Sequence, residues 1–428
     1  MGVPPARARP GMRESATGGD ASGSTSPGAV GGPPVGAGPP VPGVIRRTGS
    51  RPRNRKQLIV EAAGRVFSER GYHRASMEEI ATAVGITAAA LYRHFPNKYA
   101  LFAECAELMA DRLVAALDEV PPGAALTEVL SAVTRVTVAH RASGGVYRWE
   151  ARYLKREDRR NLKARFGHLV GRVDEAVQRE HALPDAGLRA VAALGAIGSV
   201  TMHHTSITPR RAEELLLASA LRVAATDPAA VRGGARPVEL PAQPVPGTRR
   251  AEILAAAIPL FARDGFASVT NGQIAEAVGL APSALYRHYP GKVDILAAAC
   301  FQAAGLLAQG VARSLQGVAG PHDAVVALAA TYVAYSFEYT ALNSVAEAEL
   351  AGLPADLRRS LALAQREHIA VWEQQLRLAR PELDPRQARV LVHAGFGVAV
   401  EAGRRLRWRD DQHHRDAVTA LLVAALGI

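Results

Sequence analysis

One stretch of fourteen residues occurs twice in the chain, and this duplication limits the folds that the chain can adopt. Residues 85–98 read GITAAALYRHFPNK, and residues 279–292, which lie 194 positions later, read GLAPSALYRHYPGK. The similarity extends backward without a gap, because 18 of the 44 residues from 55 to 98 are identical to their counterparts. A repeat with so long a period predicts two whole domains rather than a solenoid of short units.

The composition favours a helical protein that works in a reducing compartment. The 428 residues are enough for two or three domains, and a content of 48% apolar but only 5% aromatic residues is typical of helices packed through Ala, Leu and Val. The two cysteines, Cys105 and Cys300, belong to no CxxC pair, which argues against a disulfide framework and a structural zinc site. The net charge of +11 indicates a polyanionic partner, although charge alone is a weak signal.

Nothing in the pattern indicates a secreted or membrane-bound protein. The chain opens with Pro, Gly, Ser and Arg instead of the apolar core of a signal peptide. Residues 190–209 carry no charge and are long enough to span a membrane, but they include His203, His204 and a closing Pro209. We expect a buried helix followed by a turn there, no membrane partner, and a cytoplasmic location.

The first copy of the repeat has the pattern of three short helices. Residues 55–70 place apolar side chains on one helical face, and Gly71 supplies a left-handed end. Ser76 and Glu79 form a capping box that starts a second helix, and Gly85 ends it. Thr87 then caps a third helix. Two short helices joined by a tight turn are typical of a helix-turn-helix unit.

The second copy keeps this logic with different residues. Thr270 and Gln273 form the capping box, Gly279 ends the second helix, and Pro282 lies in the first turn of the third. After each copy follow about 120 to 135 residues with a helical pattern. The predicted domains are a disordered Pro/Gly-rich tail (1–50), a first helix-turn-helix domain (51–98), a first helical body (99–227), a linker (228–247), a second helix-turn-helix domain (248–292) and a second helical body (293–428).

Both copies resemble the TetR family of bacterial transcriptional regulators. The resemblance rests on the spacing Gly-[IVL]-x4-Leu-Tyr-x-His-aromatic-x-x-Lys, which the chain carries at residues 85–98 and again at 279–292. It implies an all-α chain of two tandem TetR-like units, each with an N-terminal helix-turn-helix domain and a regulatory and dimerisation body. It further implies a sequence-specific regulator that binds double-stranded DNA and, as most relatives do, acts as a repressor released by a small apolar or amphipathic inducer.

The motif places candidate DNA-binding residues at matching positions in the two copies. Donor side chains at the end of the third helix suit phosphate contacts, and its exposed start suits base contacts in the major groove. The candidates are Arg55, Ser76, Thr87, Ala88, Ala89, Tyr92, Arg93, His94 and Lys98 in the first copy, and Arg249, Thr270, Ala281, Pro282, Ser283, Tyr286, Arg287, His288 and Lys292 in the second.

The two copies differ where they would read bases, so we expect unequal half-sites. Residues 51–98 carry nine basic and four acidic residues, a net charge of +5, whereas residues 247–292 carry five and three, a net charge of +2. The first copy should therefore bind DNA more strongly. Two alternatives stay open: only the first helix-turn-helix binds DNA, or the chain is a ligand-insensitive architectural protein.

The resemblance also suggests how the units pair and where an inducer binds. The pairing helices would lie within residues 190–202, 213–225, 388–400 and 415–426, in an intrachain pseudo-dimer or in a homodimer of tandem chains. Interleaved aromatic and charged residues in each body are candidates for the pocket: Trp149, Arg152, Tyr153, Tyr332, Tyr335 and Tyr339.

No pattern predicts an enzyme, a metal site or a cofactor. The chain contains no phosphate-binding G-x4-G-K-[ST], no H-E-x-x-H and no G-x-S-x-G. The doublets His203-His204 and His413-His414 point in different directions on a helix, and neither has an acidic or cysteine partner at i+4. We therefore expect a non-enzymatic protein without a metal or cofactor.

Overall fold

The computed structural model describes residues 55–144, 153–229, 239–242 and 247–428. The predicted tail (1–50) and most of the predicted linker lie outside these ranges. The described helices belong to one compact unit, and the described ranges contain no β-strand. The prediction of an all-α fold is confirmed.

The described residues of the first half form eight helices and those of the second half form nine. The first half contains α1 (Arg55–Arg70), α2 (Met77–Val84), α3 (Ala88–Tyr92), α4 (Lys98–Asp118), α5 (Leu126–Ala139), α6 (Arg156–Glu180), α7 (Ala186–Gly198) and α8 (Pro209–Ala225). The second half contains α9 (Arg249–Asp264), α10 (Asn271–Ala277), α11 (Pro282–Leu285), α12 (Lys292–Ser314), α13 (Pro321–Glu338), α14 (Thr340–Glu349), α15 (Ala355–Ala379), α16 (Pro385–Arg405) and α17 (Gln412–Leu426).

The helix ends follow the local signals in the sequence. Ser76 accepts a hydrogen bond from the backbone N–H of Glu79, whose carboxylate accepts one from the N–H of Ser76, and Thr270 and Gln273 repeat this box. Gly85 adopts a φ of +72°, which only glycine reaches without strain, and it ends α2. Thr87 caps α3 by accepting from the N–H of Ala90. These predicted caps are confirmed.

Three buried cores organise the chain into two heads and one common body. One core joins α1–α4 of the first half, and a second joins α9–α12 with parts of α13–α15. The third and largest core contains residues of both halves, from Met109 to Ala224 and from Val311 to Leu426. The two halves therefore bury their apolar faces against each other instead of folding as separate bodies.

Each long helix that follows a head serves both a head and the body. The predicted domain boundaries at residues 98 and 292 coincide with the first residues of α4 and α12, which run on for 21 and 23 residues. A continuous helix thus connects the body to each head. Such a rigid element can transmit a rigid-body movement.

Four helices, two from each half, form a bundle at the centre of the body. Helix α7 packs most extensively on α16, and both also pack on α8 and α17. The backbones of α7 and α16 meet at Gly195 and Gly397, where a Cβ on Gly195 would lie 2.5 Å from the carbonyl oxygen of Gly397. Only a residue without a side chain permits so close a crossing.

Polar contacts close the same interface at the end of the chain. Ser219 Oγ donates to the carbonyl of Ala425 at 2.8 Å, and Arg222 donates to the carbonyls of Ala424 and Ala425 at 2.9 Å each. These carbonyls belong to the last turn of α17, where intrahelical donors are missing. Residues of the first half thus satisfy the end of the last helix of the second half.

The described residues include two apolar segments of membrane-spanning length. By length and composition α12 would pass as a span, and α13 with α14, bent by 96°, would pass together. Helix α12 packs against α9, α13 and α14, so its apolar residues contribute to the core of the second head. The uncharged run at residues 190–209 becomes the buried α7, a 3₁₀ turn at Ser199–Thr201 and the start of α8, as predicted.

Candidate nucleic-acid interface and body cavity

The first head presents one face of α3 to solvent. Leu91 is fully buried and fixes α3 on the head core, as the motif predicts. On the opposite side Thr87, Ala89 and Arg93 are exposed, and Tyr92 is 48% exposed. His94 is exposed next to them, whereas Ala88 is half-buried. Apart from Ala88, the candidate residues from Thr87 to His94 are therefore accessible to DNA.

The second head has the same plan with one additional contact. Leu285 is fully buried, whereas Ala281, Pro282, Ser283 and Arg287 are exposed. Tyr286 is 55% exposed, and its hydroxyl accepts a hydrogen bond of 2.9 Å from Asn271 Nδ2 on α10.

The first head cannot make this tyrosine contact. The position of Asn271 is occupied in the first head by Met77, which is buried and has no donor. Tyr286 is therefore held in place and Tyr92 is not held in this way. His288 is half-buried, unlike the exposed His94.

The lysine at the end of each motif contacts its own head. Lys98 Nζ donates to the carbonyls of His73 and Ala75 at 3.2 and 3.1 Å and lies 4.7 Å from the ring centre of Tyr72. Burial lowers the pKa of Lys98 from its usual value. The ammonium group joins the α1–α2 loop to α4. This differs from the predicted phosphate contact, because a Lys in the first turn of α4 lies within reach of carbonyls that end the preceding loop.

Lys292 repeats this arrangement in the second head. Its Nζ donates to the carbonyls of Phe266 at 2.6 Å and Ala267 at 3.4 Å, and also to that of Val269. The ammonium lies 4.5 Å from the ring centre of Phe266, and burial lowers its pKa. Sequence reasoning missed this role, although the conserved spacing of lysine and loop in both copies was a usable signal.

The remaining candidates lie at helix starts. Ser76 and Thr270 accept capping hydrogen bonds, so their hydroxyl lone pairs serve α2 and α10 first. Arg55 is half-buried in the first turn of α1. Its counterpart Arg249 is exposed and forms an ion pair of 2.6 Å with Glu252 on its own helix.

A cavity of about 380 Å³ lies in the body of the first half. Aliphatic and aromatic side chains form its wall, and polar side chains form its rim. The lining residues are Leu113, Val133, Thr137, Leu162, Phe166, Leu169, Val170, Val191, Leu194, Ile197 and Gly198, with Arg159, Lys163, Glu401 and Arg404 at the rim. Glu401 and Arg404 belong to α16, so both halves build the site.

The predicted pocket residues lie elsewhere. Trp149 and Arg152 fall outside the described residues. Tyr153 packs on the first head, with its ring stacked 5.8 Å from that of Tyr72. Tyr335 and Tyr339 are buried, and their hydroxyls donate to the carbonyls of Ala303 and Pro241.

Tyr332 is also buried, and its ring centre lies 4.5 Å from that of Phe396 in the common body core. None of the four described candidates lines the cavity. The prediction relied on aromatic residues interleaved with charges, whereas the wall of this cavity is mostly aliphatic and has no such pattern in the sequence.

The histidine doublets do not assemble a metal site. His203 stacks on His393 at 4.2 Å between ring centres, across the two halves, and His414 lies 2.8 Å from Asp411 at the start of α17. Within the described ranges no three His, Cys, Asp or Glu side chains converge as metal ligands.

Comparison with known proteins identifies the heads. A family model described as bacterial regulatory proteins, tetR family, matches residues 59–105 and 253–299. These segments contain α1–α3 with the start of α4, and α9–α11 with the start of α12. Both heads are thus similar to the TetR family over these segments. The duplication of the sequence is therefore a tandem repeat of the TetR-family helix-turn-helix.

Curated relatives match the chain over short segments. The HTH-type transcriptional activator FasR of Mycolicibacterium smegmatis is 42% identical over 71 residues, which are 16% of this chain and 32% of that protein. The HTH-type transcriptional repressor AcnR of Corynebacterium efficiens is 36% identical over 72 residues, 17% of this chain and 38% of that protein. The chain thus spans about a third of the length of these relatives.

A solved structure is similar over a longer stretch. The TetR-family transcriptional regulator from Bordetella parapertussis is 24% identical, with a TM-score of 0.40, and the match covers 42% of this chain and 94% of that one.

Proposed function

We propose that the chain is a cytoplasmic transcriptional regulator that binds double-stranded DNA with two non-identical heads carried on one polypeptide. The observation that carries this proposal is the common body core, in which α7, α8, α16 and α17 pack as one bundle. The family resemblance implies a pair of units joined through their last two helices. A single chain supplies both units here, so it acts as an intrachain pseudo-dimer rather than as half of a homodimer.

The exposed faces of α3 and α11 support sequence reading by both heads. Small residues such as Thr87 and Ala89 allow close approach to bases and contact with thymine methyl groups. The second head offers Ala281 and Ser283 instead, and its Tyr286 is held by Asn271. The two heads therefore prefer different half-sites, and the operator is an imperfect palindrome.

Phosphate contacts come from the ends of the recognition helices. Tyr92 and His94 are exposed beside the N-terminus of α4, whose N-cap is Asn97. A helix N-terminus with nearby donors favours a phosphate group. Because the first head carries the larger positive charge, it supplies the larger, salt-dependent share of the affinity.

Occupation of the operator represses transcription, and a small amphipathic ligand releases the chain. The body cavity and the continuous helices α4 and α12 support this coupling, because they connect a ligand-sized space to both heads. We place the functional domains at residues 51–98 and 248–292 for the heads and 99–227 and 293–428 for the body, joined by a linker at 228–247.

The test is DNase I footprinting on the DNA upstream of the coding sequence. The first-head variant is Tyr92→Ala/Arg93→Ala, the second-head variant is Tyr286→Ala/Arg287→Ala, and the control is Leu378→Ala at an exposed body position. Lys98 and Lys292 are left intact because their loss would loosen the heads. Each head variant should lose protection of one half-site and roughly 5- to 150-fold in affinity, whereas the control keeps both.

Two outcomes would contradict the proposal. Loss of binding only in the first-head variant, on a palindromic site, would mean that the second head does not read DNA. A wild-type chain that protects no site would remove the proposed function altogether. Transcription in vitro from the same DNA then decides the sign, with repression expected on addition of the wild-type chain and relief on addition of ligand.

A further inference from the structure

The cavity has an apolar interior and a positively charged rim. Leu113, Leu169 and Ile197 in its wall are at most 4% exposed, and the hydroxyl of Thr137 is already used by the carbonyl of Val133 at 2.8 Å. The interior therefore offers an apolar surface to a ligand, and the hydroxyl of Thr137 has no hydrogen left to donate to it. An alkyl chain or a similar apolar group fits such a wall.

Charged side chains surround the mouth of the cavity. Arg159, Lys163 and Arg404 are exposed at the rim, where Glu401 is the one carboxylate among the described lining residues. Glu401 and Arg404 form an ion pair of 3.1 Å, and Arg159 donates to the carbonyl of Leu154 at 2.7 Å. Among the described lining residues, three cations and one carboxylate give a net charge of +2, which attracts an anionic head group.

The body of the second half can be compared residue by residue with the first. Helices α6 and α15 are both 25 residues long and start at residues 156 and 355, an offset of 199. The N-caps of α7 and α16, Asp185 and Asp384, have the same offset. Helices α5 and α13 start at residues 126 and 321, an offset of 195.

These offsets place large rings of the second half where the first half has its cavity. Thr137, Leu169 and Ile197 in the cavity wall correspond to Tyr332, His368 and Phe396, and the adjacent Val173 corresponds to Trp372. The ring centre of Phe396 lies 4.5 Å from that of Tyr332, 5.9 Å from that of His368 and 5.2 Å from that of Trp372. Trp372 is fully buried. By this correspondence, large rings stand in the second half at the positions where the first half has the smaller side chains of the cavity wall.

We propose that the chain binds one amphipathic anion, with its apolar tail in the first-half cavity and its anionic head group at the rim built by Arg159, Lys163 and Arg404 of both halves. The second half binds none, because its aromatic cluster occupies the equivalent volume. At about 30 Å³ for each water-sized group, the 380 Å³ cavity holds roughly a dozen non-hydrogen atoms. A carboxylate with a medium-length alkyl chain satisfies both size and charge.

Ligand binding does not depend on the proposed regulation, although its biological meaning rests on that function. Binding to the full-length chain is measured without DNA, by equilibrium dialysis and calorimetry with decanoate as the probe and decanol as its uncharged counterpart. The expected stoichiometry is one decanoate per chain. If the chain protects no DNA site, the proposed function is refuted but the stoichiometry of decanoate binding still stands. If no decanoate binds, the proposed DNA binding still stands.

Variants test the tail and head-group sites independently. Leu194→Trp fills the cavity from the half-buried wall of α7 and should abolish binding of both probes, whereas Leu378→Trp at an exposed position on α15 should leave both unchanged. Lys163→Glu alters an exposed rim residue without affecting the core. It should weaken decanoate binding roughly fivefold and leave decanol binding unchanged.

Several results would overturn the proposal. The first is the absence of saturable decanoate binding, and the second is full binding by Leu194→Trp. A Lys163→Glu variant that binds decanoate as tightly as the wild type refutes the head-group site, even if Leu194→Trp does not fold. Two decanoates per chain would mean that the aromatic cluster opens, at a place where the described residues leave His368 Nε2 and Trp372 Nε1 without a hydrogen-bond partner.

Discussion

At the crossing of α7 and α16, we expect that one added methyl group pushes the two halves apart. In a Gly195→Ala variant the new Cβ would lie 2.5 Å from the carbonyl oxygen and 3.0 Å from the carbonyl carbon of Gly397. Ordinary contact starts near 3.4 Å, so the helices must move apart by about 0.9 Å. The atoms met are backbone atoms, which cannot move aside by a change of rotamer.

The expected loss of stability follows from two opposing contributions. Overpacking of a core costs up to ~3 kcal/mol, and an Ala in place of Gly inside a helix returns roughly 1 kcal/mol. Gly195→Ala should therefore lower the free energy of unfolding of the body by about 2 kcal/mol. Gly171 lies inside α6, and a Cβ there would meet nothing within 4 Å. Gly171→Ala is the matched control and should raise stability by ~0.5–1 kcal/mol.

Urea denaturation measures this difference. Trp372 and Trp408 lie in or against the common body core, so their fluorescence reports the unfolding of that region. The Gly195→Ala transition should occur at a lower urea concentration than that of the wild type, and the Gly171→Ala transition at a higher one. If Gly195→Ala unfolds at or above the midpoint of Gly171→Ala, then the two halves do not meet at this crossing.

Other predictions concern buried polar groups and the heads. Burial lowers the pKa of His203 to about 2 and that of His393 to about 4, so between pH 6.5 and these values only the unfolded chain takes up protons at these positions. The free energy of unfolding should therefore fall by about 1.4 kcal/mol per pH unit for each histidine as the pH drops from 6.5 toward 4. Between pH 7 and pH 5, the urea midpoint of a His203→Asn/His393→Asn variant should fall less than that of the wild type. Arg189 is fully buried and donates to four backbone carbonyls, so Arg189→Met should cost about 3 kcal/mol by the same assay, and a cost below half of that would contradict this role. Lys98→Met should lower the stability of the first head by about 1 kcal/mol. Amide hydrogen exchange should become faster in α2 and stay unchanged in α10 of the second head, and unchanged exchange in both would refute the structural role of Lys98.

Local signals in the sequence predicted the helices of the heads well. A capping box such as that at Ser76 involves residues three positions apart, so its geometry is determined by neighbours in the chain. The burial of Leu91 follows from helical periodicity in the same way. The family resemblance correctly indicated the helices that pack in the central bundle.

Contacts between distant residues could not be read from the sequence. The carbonyls that accept the hydrogen bonds of Lys98 lie 23 and 25 positions earlier in the chain, so the local sequence does not reveal them. For this reason Lys98 was predicted to contact a phosphate group. An apolar residue such as Leu194 shows the same periodicity whether it faces a packed core or a cavity. The contact of the Trp372 ring with that of Phe396 joins two different helices, so local periodicity does not predict it.

The most direct test of the pseudo-dimer is the mass of the complex with operator DNA. Sedimentation or mass photometry on a DNA fragment that contains both half-sites counts the chains bound at saturation. One chain of 45.2 kDa per fragment, with both half-sites protected, is the predicted result. A saturated complex that contains two chains, with one head of each on the DNA, would contradict the account.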